Sequence, residues 1–372
     1  MAEWSRIVNT TIKKYVRGEE VNVLRNRKLT ALLRSRGRLK FNASGEQLDW
    51  KVRYKRAPLY GFADADTLTF ARRNKWKTAN LPWRGYAATD SMTKKERLMN
   101  KSTEAIIKLY STVARTLMED IEDQFGDELY IDGNATGNGK RIHGAESWFA
   151  TDGSINESTG AQRGTANAAD RAMYPSDTYA GLSTQLGNYG GTWSTVWPTG
   201  TGDAHYDFWT PLIVNYTSSA FGGTGDTWAT QGDEVLRWAI VMSQKNKSKR
   251  GMMDLALITN DMFFDFKNLM DGKERFMSRP GRNEGSLAKL GFTDVINYDG
   301  VDVTSEYGIP SDTGYCWNLD AIMLHSLQGQ LFVPEGPDFD IASKSWRFSI
   351  DFFGNLECNP RCQCKLMDYA DE

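Results

Sequence analysis

Cysteine and histidine are scarce in this chain. Four cysteines and three histidines are spread over 372 residues, too few thiols to staple a chain of such length. Three of the cysteines, Cys358, Cys362 and Cys364, fall close together, but the spacing C-x3-C-x-C matches no zinc pattern. Small apolar residues on a late strand are the simpler reading. His143, His205 and His325 stand apart, with no HExxH or other ligand spacing, so no metal and no cofactor is expected. No run of eighteen apolar residues occurs, and the start, Met-Ala-Glu-Trp-Ser-Arg, lacks the apolar stretch of a signal peptide. The expectation is a chain made and kept in a cytoplasm, with no membrane partner. Also missing are GxSxG, a P-loop, a GxGxxG opening a helix and the kinase set. The carboxylate pairs Glu119 with Asp120 and Glu122 with Asp123 lie on a predicted helix, whose charged solvent face accounts for them. No catalytic residue is nominated, and the chain is not read as an enzyme.

What is present is ordinary in amount and uneven in distribution. A composition 25% charged and 40% hydrophobic suits one large core or two to three modest ones. Net charge is only −2, yet residues 1–100 carry 23 Lys and Arg against 9 Asp and Glu, a balance of +14 that leaves −16 for residues 101–372. A basic first third joined to an acidic remainder suits docking onto a polyanion, or onto the acidic part of another copy of the same chain. The densest stretch, Lys13 to Lys40, holds Arg25, Arg27, Lys28, Arg34, Arg36 and Arg38. It reads as an arm with short helical pieces, and no motif for reading bases follows it.

The sharpest local signal is the strict alternation of Leu48, Trp50, Val52 and Tyr54 with Asp49, Lys51, Arg53 and Lys55. Period two predicts a strand with one apolar and one charged face. A second strand-like run over residues 76–89 carries Trp76, Leu81, Trp83 and Tyr86, and its Pro82 and Gly85 predict an edge or bulged strand. Pro58, Gly61, Asp64 and Asp66 supply the turn chemistry of a long hairpin between the two. Such a ribbon is marginal alone in water, so its aromatic face needs a partner surface, either the body of its own chain or a neighbouring subunit. Next, Ile106, Leu109, Val113, Leu117, Ile121 and Phe125 predict a helix from a Ser102 or Thr103 cap to Gly126. Some 24 residues make an element about 36 Å long, which should act as a spine.

Residues 134–228 hold 15 of the 34 glycines and five of the 12 tryptophans, predicting short strands and ordered loops. Tryptophans there either fill a loop-rich core or present a sugar-binding surface. Regular structure resumes with a helix from Gln231 through Met242 that ends in the basic run Lys245 to Arg250. A strand at Asp254 to Thr259 and a helix at Asp261 to Met270 from an Asn260 cap follow. Further strands are predicted over residues 293–298, 314–319, 321–325 and 339–353.

Four groups of residues together resemble the major capsid proteins of tailed bacteriophages, the Hong Kong 97-like coat family. The first is the order of basic arm, charged hairpin and long helix, which in that family are the N-arm, the E-loop and the spine helix. The second is Tyr179-Ala180-Gly181-Leu182 followed by Tyr189-Gly190-Gly191, similar to a GL…YGG element of these coat proteins. The third runs from Asp254 to Thr259 through Phe263 and Phe264 to Lys267. The fourth comprises Val301-Asp302-Val303, Gly314-Tyr315, Asn318-Leu319, Gly354-Asn355-Leu356, Asn359-Pro360-Arg361-Cys362 and Lys365-Leu366, and its carboxy-terminal GNL…NPR…KL is the most specific of the set. Where relatives place a fixed acidic residue shortly after the D-x-V strand, this chain runs Thr304-Ser305-Glu306. No long coiled-coil segment precedes the arm, so a fused scaffolding domain is not expected.

The resemblance implies an α+β, Hong Kong 97-like phage capsid fold. Its divisions would be an N-terminal arm at 1–44, an E-loop hairpin at 45–95, a peripheral domain at 96–230 with the spine helix at about 102–125 and a Gly/Trp-rich insertion, an axial domain at 231–335, and strands returning to the peripheral domain at 336–372. It implies a coat subunit forming hexamers and pentamers of an icosahedral head around double-stranded DNA, located in the virion capsid after assembly in the host cytoplasm. Expected partners are further copies of itself, packaged DNA through non-specific charge contacts, and portal and scaffolding or decoration proteins. The subunit interface is expected at Trp50, Lys51, Val52, Arg53, Tyr54, Lys55, Trp76 and Trp83. Arg25, Arg27, Lys28, Arg34, Arg36 and Arg38 would line the inner surface or bind a neighbour. Two other readings stay open: an encapsulin-like compartment of the same fold, and a glycan-binding β-rich protein suggested by the tryptophans.

Overall fold

The computed structural model describes residues 27–99 except 56, 58 and 69, residues 114–150 except 115, 116, 119, 122 and 123, and residues 171–191, 205–221, 227–243, 253–271 and 294–368. The first element is helix α1 (Lys28–Ser35), whose Leu29, Leu32 and Leu33 are buried at the spacing of one helical face. After β1 (Leu39–Lys40), β2 (Gln47–Arg53) and β3 (Trp76–Pro82) pair antiparallel, with Leu48 opposite Leu81 and Trp50 opposite Ala79. The alternation acts as predicted: Leu48 is buried, Trp50 and Val52 half-buried, and Asp49, Lys51 and Arg53 exposed.

The run predicted as one bulged strand over 76–89 is instead two strands in two sheets. β3 ends at Pro82, which has no N–H to offer a ladder, and β4 (Arg84–Thr93) pairs with a different partner. Gly85 is required there, because the Phe353 ring lies 2.6 Å from where a Cβ would stand. Helix α2 (Lys94–Met99) follows, with Thr93 and Glu96 capping each other's backbone N–H groups at 2.9 and 3.3 Å.

Residues 114, 117, 118, 120, 121 and 124–128 belong to the spine helix, with Ala114, Leu117, Met118, Ile121 and Phe125 buried. Its predicted cap and Ile106, Leu109 and Val113 lie outside the described residues. The helix does not stop at Gly126. It continues to Glu128, and Gly126 is the place where the Arg27 side chain crosses, filling the space of a Cβ.

The Gly- and Trp-rich segment contributes α3 (Glu146–Phe149), β5 (Ala172–Met173), β6 (Thr178–Tyr179), β7 (Leu182–Ser183) and β8 (Leu212–Asn215). Then come α4 (Trp228–Ser243), β9 (Leu255–Ile258), α5 (Asn260–Asp271), β10 (Ile296–Tyr298), β11 (Val301–Ser305) and β12 (Thr313–Trp317). β13 (Ile322–Ser326), β14 (Val333–Asp340), β15 (Ser345–Cys358) and β16 (Cys364–Met367) complete the order. Thr259, not Asn260, caps α5, its hydroxyl accepting from the Met262 N–H at 3.4 Å. The single strand predicted over 339–353 is a hairpin of β14 and β15, whose turn places Lys344 at a φ of 52°. The basic run Lys245 to Arg250 lies outside the described residues.

β15 organises a five-stranded sheet. Its first part lies between β14 and β4, and its last part pairs with β13, which in turn pairs in parallel with β1. The spine helix packs on this sheet through Phe125, 5.2 Å from the rings of both Phe332 and Phe352. A seven-stranded sheet has the order β10-β11-β9-β12-β16-β8-β5. β9, β16 and β8 are buried at every position, as strands covered on both faces are. α4 and α5 meet beside it at Trp228 and Phe266, 6.1 Å apart.

Strand membership crosses the divisions drawn on the sequence. β5 and β8 precede residue 231 and β16 follows residue 336, yet all three join the sheet of β9 to β12, whereas β13 lies within 231–335 and joins the five-stranded sheet. Period and turn residues mark a strand without naming its partner.

Gly354 pairs with Arg84 on one side and Ser326 on the other, and the His325 carbonyl and Phe352 ring occupy the space of its missing Cβ. Gly354→Ala should lower the unfolding free energy by about 1–3 kcal/mol in chemical denaturation. Gly139→Ala, whose Cβ would meet nothing within 4 Å, should change it by less than about 0.5 kcal/mol.

Candidate functional site

The base of the long hairpin is held to the body by buried polar side chains. Asn355, near the end of β15, donates from Nδ2 to the Pro82 carbonyl at 2.8 Å, while its Oδ1 accepts from the backbone N–H groups of His143 (3.0 Å) and Leu356 (2.8 Å). The Tyr179 hydroxyl donates to the Leu356 carbonyl at 2.7 Å and accepts from the Cys358 N–H at 3.0 Å. Burial pushes that hydroxyl well above the usual phenol range, so it stays a donor. The Ala180 carbonyl accepts from the Asn80 N–H at 3.0 Å. Ala180 and Gly181, at φ of 53° and 71°, form the turn between β6 and β7, and Asn80 Oδ1 sits 2.6 Å from where a Gly181 Cβ would lie. Two motifs that carried the resemblance, Tyr179-Ala180-Gly181-Leu182 and Gly354-Asn355-Leu356, are therefore the seat of the hairpin. Arg361 of a third pairs with buried Asp207 at 2.8 Å.

The hairpin's aromatic face packs on its own chain. Trp50 lies 6.4 Å from Tyr179 and 6.5 Å from Trp209, and Tyr54 lies 5.4 Å from His205 and 5.9 Å from Phe208. Lys77 Nζ sits 5.4 Å above the Tyr54 ring and 5.5 Å above Tyr189. Val52 packs against the same core, and the Trp83 indole donates to the Gly45 carbonyl at 3.0 Å. Trp50, Val52, Tyr54 and Trp83, expected to offer apolar surface to a neighbour, are half-buried against the core of their own chain, and the base of the ribbon lies over an aromatic cluster of that body. Trp76 is 54% exposed, and Lys51, Arg53 and Lys55 point outward with no ion-pair partner among the described residues.

The hairpin tip was not nominated from the sequence. Leu59 (99% exposed), Tyr60, Phe62, Leu68 and Phe70 (92%) stand in water there. Pro58, Gly61, Asp64 and Asp66 drew the segment as a turn, and the apolar residues interleaved with them were the available signal. Asp66 orders the loop by accepting from the Ala63 N–H at 2.8 Å, and Arg73 donates to the Tyr60 hydroxyl at 3.0 Å.

The arm cations are also redistributed. Arg25 lies outside the described residues, and Arg34 is exposed. Arg27 is buried, donating to the Tyr307 carbonyl at 2.7 Å and lying 3.5 Å from Asp127. Lys28 donates to Thr304 Oγ1 at 2.8 Å and to the Ser305 carbonyl. Arg36 pairs with Asp254 and Arg38 with Asp320. Arg27, Lys28, Arg36 and Arg38, expected on an inner surface or against a neighbour, are thus engaged within their own chain. Carboxylates of the acidic remainder stand beside α1, so part of the charge asymmetry is neutralised within one chain. Burial raises the Asp254 carboxyl above its ordinary range even with Arg36 beside it.

Trp148, Trp209 and Trp228 are buried, which removes them as a sugar platform. Trp193 and Trp197 lie outside the described residues. Among the described residues no group of three or more His, Cys, Asp or Glu is suited to a metal ion, all four cysteines are buried free thiols, and no helix is long and apolar enough to cross a membrane.

No protein-family model matches the sequence, and no curated protein does. Solved structures do match. The chain is similar to the capsid asymmetric unit of cyanophage A-1(L), with 13% identity over 89% of this chain and 90% of that one and a TM-score of 0.58. It is similar also to the capsid of a native gene transfer agent particle, with 12% identity over 91% and 90% of the two chains and a TM-score of 0.51. The fold is the Hong Kong 97-like capsid fold, mixed helix and sheet over most of the chain.

Arg36→Met would leave Asp254 without its cation in a site largely shielded from water. The substitution should cost about 2 kcal/mol at neutral pH. That cost should shrink in denaturation measured under acid, where protonated Asp254 needs no partner.

Proposed function

We propose that this chain is a coat subunit that self-assembles into the hexamers and pentamers of an icosahedral phage head enclosing double-stranded DNA. One observation carries the reading: the hairpin is anchored at its base and presents bare apolar side chains at its tip. Leu59, Tyr60, Phe62, Leu68 and Phe70 are exposed together on one projecting loop. Burying each fully is worth about 1.5–3 kcal/mol, and a neighbouring copy is the surface that an assembling shell supplies. Trp76 would add apolar surface to that contact, and Lys51, Arg53 and Lys55 would pair with the neighbour's carboxylates. The fold shared with the cyanophage and gene transfer agent capsids supports the same reading.

In this role the five-stranded sheet and spine helix form the peripheral domain and the seven-stranded sheet the axial domain. Among the described arm cations nominated from the sequence, Arg34 is exposed and would meet phosphates, which attract Arg and Lys without regard to sequence. The role is architectural, with no catalytic residue and no cofactor. The subunit would assemble in the host cytoplasm, reside in the virion capsid, and meet portal and scaffolding or decoration proteins there.

The test separates tip from base. Purified wild-type protein under assembly conditions should give closed shells by negative-stain electron microscopy. A combined Leu59→Ser, Phe62→Ser, Phe70→Ser variant should keep the wild-type melting temperature and remain unassembled. Trp50→Ala should lower the melting temperature, costing about 3–5 kcal/mol or somewhat less for its half-buried ring. Small soluble monomers of the wild type under every assembly condition would overturn the proposal.

A further inference from the structure

α1 starts without a cap of its own. Arg27 takes the N-cap position in extended conformation, and its side chain makes no capping hydrogen bond. The oxygen that accepts from the first turn arrives from the far end of the chain: Glu306 Oε2 accepts from the Leu29 N–H at 3.1 Å. Glu306 follows β11 and is itself only 6% exposed, its backbone N–H tied to the Ile258 carbonyl at 3.2 Å.

Each element around this carboxyl brings a titratable or charged group. α1 brings Arg27 and Lys28, and the end of the spine helix brings Asp127 and the buried Tyr130 hydroxyl. Asp294 and Lys267 act on the Lys28 amine in turn. The Arg27 side chain crosses Gly126, and Gly308 leaves room for Asp127 where a Cβ would collide. The junction thus binds α1, the spine helix and the exit from β11 at one point. Either protonation state of Glu306 accepts the Leu29 N–H, but only the ion bears a desolvation penalty when α1 closes over it.

We propose that Glu306 is a proton-controlled latch, fixing α1 to the spine helix and β11 more firmly once its carboxyl is neutral. Burial pushes the docked carboxyl up to about 7 from an ordinary 4.5, opposed by the Leu29 N–H, Arg27, Tyr130 and Lys28. The docked state therefore binds the proton more tightly than the undocked one. Docking is most favourable in acid and weakens as pH rises through 7, by about tenfold per pH unit between the two values. The latch belongs to a single chain and needs no neighbouring copy.

Hydrogen exchange read by mass spectrometry on peptides covering Lys28–Ser35, in the full chain and corrected for intrinsic rates, tests this. Wild-type protection should fall by at least about tenfold between pH 5.5 and pH 7.5, while protection of α4 stays level. Glu306→Gln keeps an acceptor without a titrating proton and should flatten the profile. Lys28→Met removes a cation that favours the ion and should move the midpoint to higher pH. A wild-type profile as level as that of α4 overturns the latch, as does a Glu306→Gln profile that still titrates. Should Glu306→Gln fail to fold, an unmoved midpoint in Lys28→Met overturns it equally.

Discussion

The side-chain amide of Asn355 makes three hydrogen bonds inside the fold, to Pro82, His143 and Leu356, and each belongs to a different structural task. Through Pro82 it holds the last residue of the hairpin. Through His143 it ties down the loop after the spine helix. Through Leu356 it shapes the last part of β15, the strand that collects β14, β4 and β13 into one sheet. A buried amide with its partners in place is a stringent constraint, because losing one partner strands the others without water to replace it. The hairpin departs from the body in one direction because its base is fixed there, and the tip then stands clear of its own chain.

Charge follows the same division of labour. The basic first third of the sequence suggests an outward-facing polycation, but Arg27, Lys28, Arg36 and Arg38 are engaged by groups of the same chain. Of these ion pairs, Arg36 with Asp254 is the more sheltered, and such a pair is less screened by solvent and salt. Among the described residues, Arg34 on α1 stays outward, as do Lys51, Arg53 and Lys55 on the hairpin, beside the apolar tip. An apolar centre with a charged margin is the usual make-up of a protein–protein contact.

Much of the local structure was legible in the sequence. The alternation from Leu48 to Tyr54 fixed which side chains face out, and the helical spacing around Val235 and Leu236 marked α4. What covers a face was not legible, because period two reveals that Trp50 needs a partner and not that Tyr179 and Trp209 supply it. The same limit applies to β8, β13 and β16, whose sheets are set by contacts between residues far apart in sequence. The arm cations misled for a related reason: a count of Arg and Lys carries no information on which carboxylates fold back beside them. The resemblance motifs were degenerate as strings, yet Tyr179, Asn355 and Arg361 turn out to be buried polar joints.

β16 lies between β12 and β8 inside the seven-stranded sheet, in antiparallel register with the first and parallel with the second. Its residues are the last described strand to leave the ribosome. A nascent chain shorter than residue 364 therefore carries β12 and β8 as two open edges in the middle of an unfinished sheet, and such edges invite pairing with other chains. Closure of that sheet joins strands separated by most of the second half of the sequence, a slow kind of contact to make. Correct folding thus depends on β16 reaching its place before either open edge pairs with another chain.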